Sequence, residues 1–233
     1  VQNCLIVKNS SGSSGGGAYL TSGTITNCVI SGNTLGAYRS GAGVYMTGGT
    51  VVNCALTGNT TGGGDLGHGG GAIRCDGASG MILNCTVVSN SAGASGMGGG
   101  VWVYQGLMRN CLMKANAAGA GGGAAASYGT IQNCTVCGNS AAVAQGGVWN
   151  SSGLAENTLI YYNAAPTDPN YGGGGTARYC ASTPVMAGAS NIEDPLMVDA
   201  PGNNYRLPPG SRCVGACTNA AWMTGAKDLD GND

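Results

Sequence analysis

Apolar residues recur along this chain in two columns. The first stands two residues ahead of a repeated Asn and holds Val1, Ile25, Val51, Ile82, Met108, Ile131 and Ala155. The second holds Ile6, Ile30, Leu56, Val87, Met113, Val136 and Ile160. Between them lies an Asn-Cys pair at Asn3-Cys4, Asn27-Cys28, Asn53-Cys54, Asn84-Cys85, Asn110-Cys111 and Asn133-Cys134, with Thr replacing Cys at Asn157-Thr158. Both columns are wholly apolar and so face inward. Side chains of one strand alternate with period two, yet the first column and the Cys lie three apart, so a bend is expected at the Asn. Asn tolerates the left-handed backbone that such a bend requires. Stacked Asn side chains at that bend are expected to hydrogen-bond to one another from repeat to repeat.

Six residues after each such Asn stands another: Asn9, Asn33, Asn59, Asn90, Asn116, Asn139 and Asn163. This offset never varies, while the distance between repeats does. A fixed unit joined by variable spacers marks a stacked solenoid, in which each repeat touches its neighbours. A Gly-rich run then opens one more short β-prone stretch in each repeat, as in Gly41–Met46 and Gly98–Val103. The pattern predicts an all-β fold, a single-stranded right-handed parallel β-helix of about seven to eight coils with three short strands each. Right-handedness follows the general rule for parallel crossovers. Coils are expected over 1–163, and a last partial coil with an irregular capping segment over 164–233.

Composition narrows the partners. Charged residues make up only 8% of the 233, and the net charge is −1. No basic patch is present to neutralise phosphates, so nucleic acid is not an expected partner. No apolar run is long enough to span a membrane. The chain opens at Val1 inside a repeat, which suggests a mature product or a fragment, with an uncapped N-terminal end.

Six of the eleven cysteines occupy one row. Equivalent residues in stacked strands lie about 4.8 Å apart as parallel side chains, a geometry suited neither to a disulfide nor to tetrahedral metal binding. They are expected to fill the core as small apolar groups. Cys180 extends the row. Cys75 and Cys137 fall outside it, and Cys213 and Cys217 are spaced to pair with each other.

Candidate chemistry is concentrated in one coil. The interval from Cys54 to Cys85 is the swollen one and carries Asp65, the single histidine His68, Arg74 and Asp76. Asp65, His68 and Asp76 are the candidate catalytic residues, for acid/base work or metal binding, in a loop projecting from a rigid scaffold. The plain alternative is a solvated loop. No Asp or Glu lies between Gly77 and Ala155, so the middle coils hold no carboxylate pair of the kind that glycan cleavage uses.

The Gly-rich strands align Tyr19, Tyr45, Ile73, Trp102, Ala125 and Trp149 in one row, preceded by Ala18, Val44, Ala72, Val101, Ala124 and Val148. If the smaller row faces the core, the aromatic row faces out as a ladder of flat rings suited to stacking on sugars. Arg74 and Asn150 in the next row favour the opposite parity, with rings inside. Tyr19, Tyr45, Trp102, Trp149 and Arg74 are the candidate ligand-binding residues. A further row after the Cys, from Leu5 to Leu159, is mostly apolar yet should point outward. It marks an interface or a surface covered by the C-terminal segment. Asp228, Asp230 and Asn232 have the oxygen spacing that opens a Ca²⁺ loop, without the closing Glu. Ca²⁺ is therefore the one ion entertained, and otherwise no cofactor is expected.

Gly98-Gly-Gly-Val-Trp102 and the Asn-Cys-Xaa-Xaa-Xaa-Xaa-Asn unit resemble right-handed parallel β-helix repeats of bacterial surface proteins. They are also similar to the Gly-Gly-Ala-Ile repeats of polymorphic outer-membrane proteins. The tail, with Asp194-Pro-Leu-Met-Val-Asp199, Tyr205 to Cys213, and Asp228-Leu-Asp-Gly-Asn232, resembles the end of bacterial β-helix proteins of the choice-of-anchor Q type. It departs from them at Val214-Gly-Ala-Cys217, where an acidic residue is usual. The resemblance implies an exported protein, extracellular or on the bacterial cell surface.

The expected function is a non-enzymatic binding or adhesion module with carbohydrate or another surface ligand as partner. One alternative is a structural subunit that self-associates end to end into an extracellular fibre, since solenoid ends expose strand edges. The other is an enzyme, a polysaccharide lyase or glycoside hydrolase.

Overall fold

The computed structural model describes residues 1–199 and 204–217 and is built of parallel strands without a helix among them. Three sheets of seven strands run the length of the molecule. Sheet A contains Thr24–Thr26, Thr50–Val52, Met81–Leu83, Leu107–Arg109, Thr130–Gln132, Leu154–Glu156 and Thr176–Arg178. Sheet B contains Leu5–Val7, Val29–Ser31, Ala55–Thr57, Thr86–Val88, Leu112–Lys114, Thr135–Cys137 and Leu159–Tyr161. Sheet C contains Ala18–Leu20, Val44–Met46, Ile73–Cys75, Val101–Val103, Ala125–Ser127, Val148–Asn150 and Tyr171–Gly172. The chain visits the sheets in turn, one strand of each per coil, as a right-handed parallel β-helix. A fourth, two-residue strand follows sheet B in several coils, at Ser10–Ser11, Thr34–Leu35, Thr60–Thr61, Ala117–Ala118 and Ser140–Ala141, so the coil has one more side than three strands provide.

The bend between sheets A and B falls on the Asn of Asn-Cys. All seven of these Asn have φ between 51° and 54°. Their side chains do not form the continuous ladder seen in the second Asn column, although Asn133 Nδ2 donates to Asn110 Oδ1 at 2.7 Å. The ladder belongs to the second Asn column. Nδ2 of Asn9, Asn33, Asn59, Asn90, Asn116 and Asn139 each donates to Oδ1 of the next coil's Asn at 2.8–3.0 Å. Asn163 continues it to Asn170. A left-handed residue, from Lys8 to Tyr162, precedes each of these Asn and turns the side chain inward. The physical reason for the difference is direction: at the bends from Asn3 to Asn133 the side chain reaches water at least in part, with Asn157 the buried exception, whereas the second Asn column is buried from Asn33 onward and must satisfy its polar groups inside the protein. Glycine makes room for this column. A Cβ on Gly100 would lie 3.0 Å from Asn116 Cγ and 2.7 Å from Ala124 O.

In sheets A and B the middle residue of each strand points inward and the flanking ones outward, so both apolar columns are core from the second coil on, while in the first coil Val1 is exposed and Ile6 half-buried. Sheet C is reversed: Val44 and Met46, or Val101 and Val103, are buried, and the residue between them points away from that core. The Cys row lies at the corner between A and B. Cys28, Cys54, Cys85, Cys111, Cys134 and Cys180 are buried, and Cys4 in the first coil is exposed. Each thiol donates to the carbonyl two residues back, as Cys111 Sγ does to Arg109 O at 3.2 Å. Thr158 reproduces this bond with its hydroxyl on Glu156 O at 2.8 Å, which explains why Thr replaces Cys there. Cys75 is also core, on sheet C beside Met46 and Val103 in register. Burial pushes its thiol up to about 11 and that of Cys137 up to about 12. Cys213 and Cys217 are both free thiols.

Residues beyond the last full coil lie over its end and side. Ile192 pairs with Cys180 and Ser182 as a further rung, and Met186 packs against the core. Leu207, Cys213 and Ala216 enclose a cavity of about 130 Å³ with Thr135 and Leu159. The outward apolar row of sheet B is thus covered in its last coils, while Leu5 and Val29 stay exposed.

Candidate ligand-binding face

The outward middle row of sheet C differs from its sequence alignment. Strand register places Tyr19, Tyr45, Arg74, Trp102, Ala126, Trp149 and Gly172 side by side. Arg74 and Ala126 therefore replace Ile73 and Ala125, which belong to the inward row. The cause is the Gly-rich run before each strand. Gly41, Gly70, Gly98 and Gly122 are left-handed, and these set the register. Three consecutive glycines, any of which accepts that conformation, leave two alignments open in the sequence.

The row is outward but not uniformly open. Tyr19 is exposed, and its ring lies 5.1 Å from that of Tyr45. Trp102 is only 3% exposed. It forms a small separate cluster with Met97, flanked by Ala120 and Trp149, apart from the main core. Its open face is taken by Arg74, whose guanidinium carbon sits 3.9 Å from the ring centroid, and its Nε1–H is buried with no acceptor among the described residues. An exposed ladder of sugar-stacking rings thus fails at Trp102, because a cation already occupies that stacking position.

Arg74 is the hub of the swollen coil. Its Nε donates to Asp76 Oδ1, and its Nη1 donates to Gly67 O at 3.0 Å. Tyr45 donates its hydroxyl to Asp76 Oδ2 at 2.5 Å. Burial, and then the hydrogen bond to Asp76, push the Tyr45 phenol up to about 12. Asp65 instead pairs with His68 Nδ1 at 2.7 Å and accepts from Gly67 N at 2.8 Å. The hydrogen bond with His68 holds the Asp65 carboxyl below its usual range. His68 packs edge-on against Tyr38. Asp65 is therefore engaged with His68, and Asp76 with Arg74 and, from the preceding coil, Tyr45. Among the described residues no group of three or more His, Cys, Asp or Glu side chains is placed to hold a metal ion. Asp228, Asp230 and Asn232 lie outside the described residues.

Exposed rings that sequence alignment passed over lie one turn further on. Tyr104 and Tyr128 each follow a strand of sheet C. Their rings are 5.1 Å apart, and Tyr128 meets Trp149 edge-on at 5.4 Å. Arg74 also approaches the Tyr104 ring at 5.5 Å. Tyr19, Tyr45, Asp76, Arg74, Tyr104, Tyr128 and Trp149 are thereby linked into one continuous polar-aromatic belt. Tyr104 and Tyr128 stand at equivalent positions, directly after Val103 and Ser127, which pair in register.

Among the described residues no helix is long and apolar enough to cross a membrane. No curated protein and no solved structure is significantly similar to this chain. The family model for a right-handed β-helix region matches residues 1–165. With that match covering most of a chain already seen to wind as stacked parallel coils, the protein belongs to the right-handed β-helix family.

Proposed function

We propose that the protein is an exported, non-enzymatic β-helix module that binds carbohydrate along its polar-aromatic belt. The observation that carries this reading is the fixed ring chain Tyr104–Tyr128–Trp149. Tyr104 and Tyr128 are exposed at 43% and 38%, and each is held by its neighbours. Rings fixed before binding lose little conformational freedom on contact, and their flat faces suit the apolar faces of pyranose rings. Hydroxyls of Tyr45 and the Arg74–Asp76 pair supply polar partners at the same surface. The extracellular or cell-surface location rests on the resemblance of the tail to exported bacterial β-helix proteins.

Catalysis receives less support, because Asp65 and Asp76 are engaged in separate pairs. End-to-end fibre formation also receives less, because Ile192 adds a rung beyond the last strand of sheet B and Met186 packs into the end of the core. Affinity electrophoresis through gels containing neutral and acidic polysaccharides tests the proposal. Wild-type protein is expected to be retarded by at least one polymer, and a Tyr128→Ala, Trp149→Ala double variant to run unretarded. Free migration of the wild type through every gel would overturn the reading.

A further inference from the structure

Past the rung at Ile192 the chain turns back as a strap along the side of sheet B. Tyr205 sets its ring near Lys114, with Nζ 5.9 Å from the centroid. Leu207, Cys213, Ala216 and Cys217 close over Thr135 and Leu159, with the cavity of about 130 Å³ beneath them. A void under a segment forfeits contacts on that side, so the strap is seated less firmly than the coils it covers.

Cys213 and Cys217 both line that cavity and sit on one reversal of the chain. Val214 N donates to Ser211 O at 3.1 Å, and Ala216 N donates to Cys213 O at 3.3 Å. Gly215, between the two cysteines, is left-handed with φ of 73°. The second bond closes a β-turn whose ends lie within about 7 Å, and Cys217 is the next residue. A disulfide needs Cα atoms within about 7 Å and side chains that face each other; one tight turn and a shared cavity wall meet both needs. Ser211 anchors the turn, since its hydroxyl donates to Pro195 O and accepts from Cys213 N. The nearby thiols of the Cys row belong to the scaffold. Cys134 and Cys180 are buried and donate to Gln132 O and Arg178 O at 3.2 and 3.3 Å.

We propose that Cys213 and Cys217 form a redox latch: as thiols they leave the strap free to lift, and as a disulfide they lock it over the side of sheet B. The oxidant is a small-molecule disulfide. Cys217, the exposed member of the pair, attacks one sulfur of that disulfide as the thiolate, expels one thiol and becomes a mixed disulfide. Cys213 then attacks Cys217 Sγ and expels the second thiol. The two cysteines lose two protons and two electrons, and the oxidant becomes two thiols. Burial raises both thiols above their ordinary range, so thiolate is scarce at neutral pH and the exchange is expected to quicken as pH rises. The latch is independent of carbohydrate binding.

Incubation with glutathione disulfide at about pH 8.5, near the ordinary cysteine pKa, followed by peptide mapping, tests the bond. Cys4 and Cys217 are the two exposed thiols. Cys4, whose row neighbour Cys28 is buried, is expected to end as a glutathione adduct, and Cys217 to end linked to Cys213. A lasting adduct on Cys217, an unreacted Cys217, or a bond from it to Cys134 or Cys180 overturns the proposal. Limited trypsin digestion reads the lock. Arg212 is exposed beside Cys213, and cleavage there is expected to slow by about tenfold once the link restricts the open strap. Cys217→Ser, at an exposed position, is expected to be cleaved like the reduced wild type with or without oxidant. An unchanged rate in the linked wild type, or equal slowing in Cys217→Ser, overturns the latch.

Discussion

Two asparagines per coil do opposite jobs, and the difference is set by which way the side chain points. At Asn84 the backbone is left-handed and turns the corner, with φ of 52°. At Asn116 the side chain is buried and makes a closed set of bonds: Nδ2 donates to Val87 O and Asn139 Oδ1, and Oδ1 accepts from Asn90 N and Nδ2. Asn116→Ala is expected to cost about 3 kcal/mol, because partners on both sides are left buried without a bond. Asn84→Gly is expected to be nearly neutral, since glycine takes that φ freely, and Asn84→Val to cost about 1–2 kcal/mol. Urea unfolding checks all three. A larger loss at Asn84→Gly than at Asn116→Ala would reverse the roles assigned here. The sequence shows both columns at constant offset but not which one is inside. Only the backbone direction at the residue before the second Asn decides that, and this residue varies freely from Lys8 through Gly58 to Tyr162.

Among the elements, sheets A and B were legible and sheet C was not. In A and B the inward residue is the middle one, flanked by Asn-Cys at a fixed offset, so Ile25, Ile30 and their equivalents read directly as core. Sheet C follows glycine runs without such a marker, and its register slipped by one at Ile73 and at Ala125. That slip hid Arg74 inside the aromatic row, and with it the reason that Trp102 is covered. The thiol row was legible because Cys repeats in register with the core. The pairing of Asp76 with Arg74 and Tyr45 was not, since it depends on the middle residue pointing outward.

Tyr45 gives that arrangement a measurable signature at the element scale. Its phenol is held up to about 12 by burial and by Asp76, against an ordinary value near 10. Ultraviolet titration should therefore show Tyr45 among the late-ionising tyrosines, with Tyr171 and Tyr205 also raised by burial, and Asp76→Asn should bring one of them earlier. The unfolded chain releases that proton first, so this contribution to stability is present below about pH 10 and is lost as pH rises toward about 12. A titration in Asp76→Asn superimposable on the wild type would remove Asp76 as a cause.

On the scale of the whole molecule, a regular scaffold carries its irregular residues on one side. The core columns, the Asn ladder and the thiol row repeat coil after coil and leave no chemistry to assign. What breaks the repeat is the swollen coil with its Arg74 hub and the tyrosines that follow sheet C. The carboxylates of the swollen coil are spent in separate pairs, so binding along the axis is the activity that this arrangement supports best. Tryptophan emission recorded during titration with a polysaccharide that retards the protein tests this most directly. The emission is expected to shift on binding in the wild type and in Trp102→Phe, and not to shift in Trp149→Phe. Saturable binding with an unchanged wild-type spectrum would place the ligand away from the belt and contradict the account.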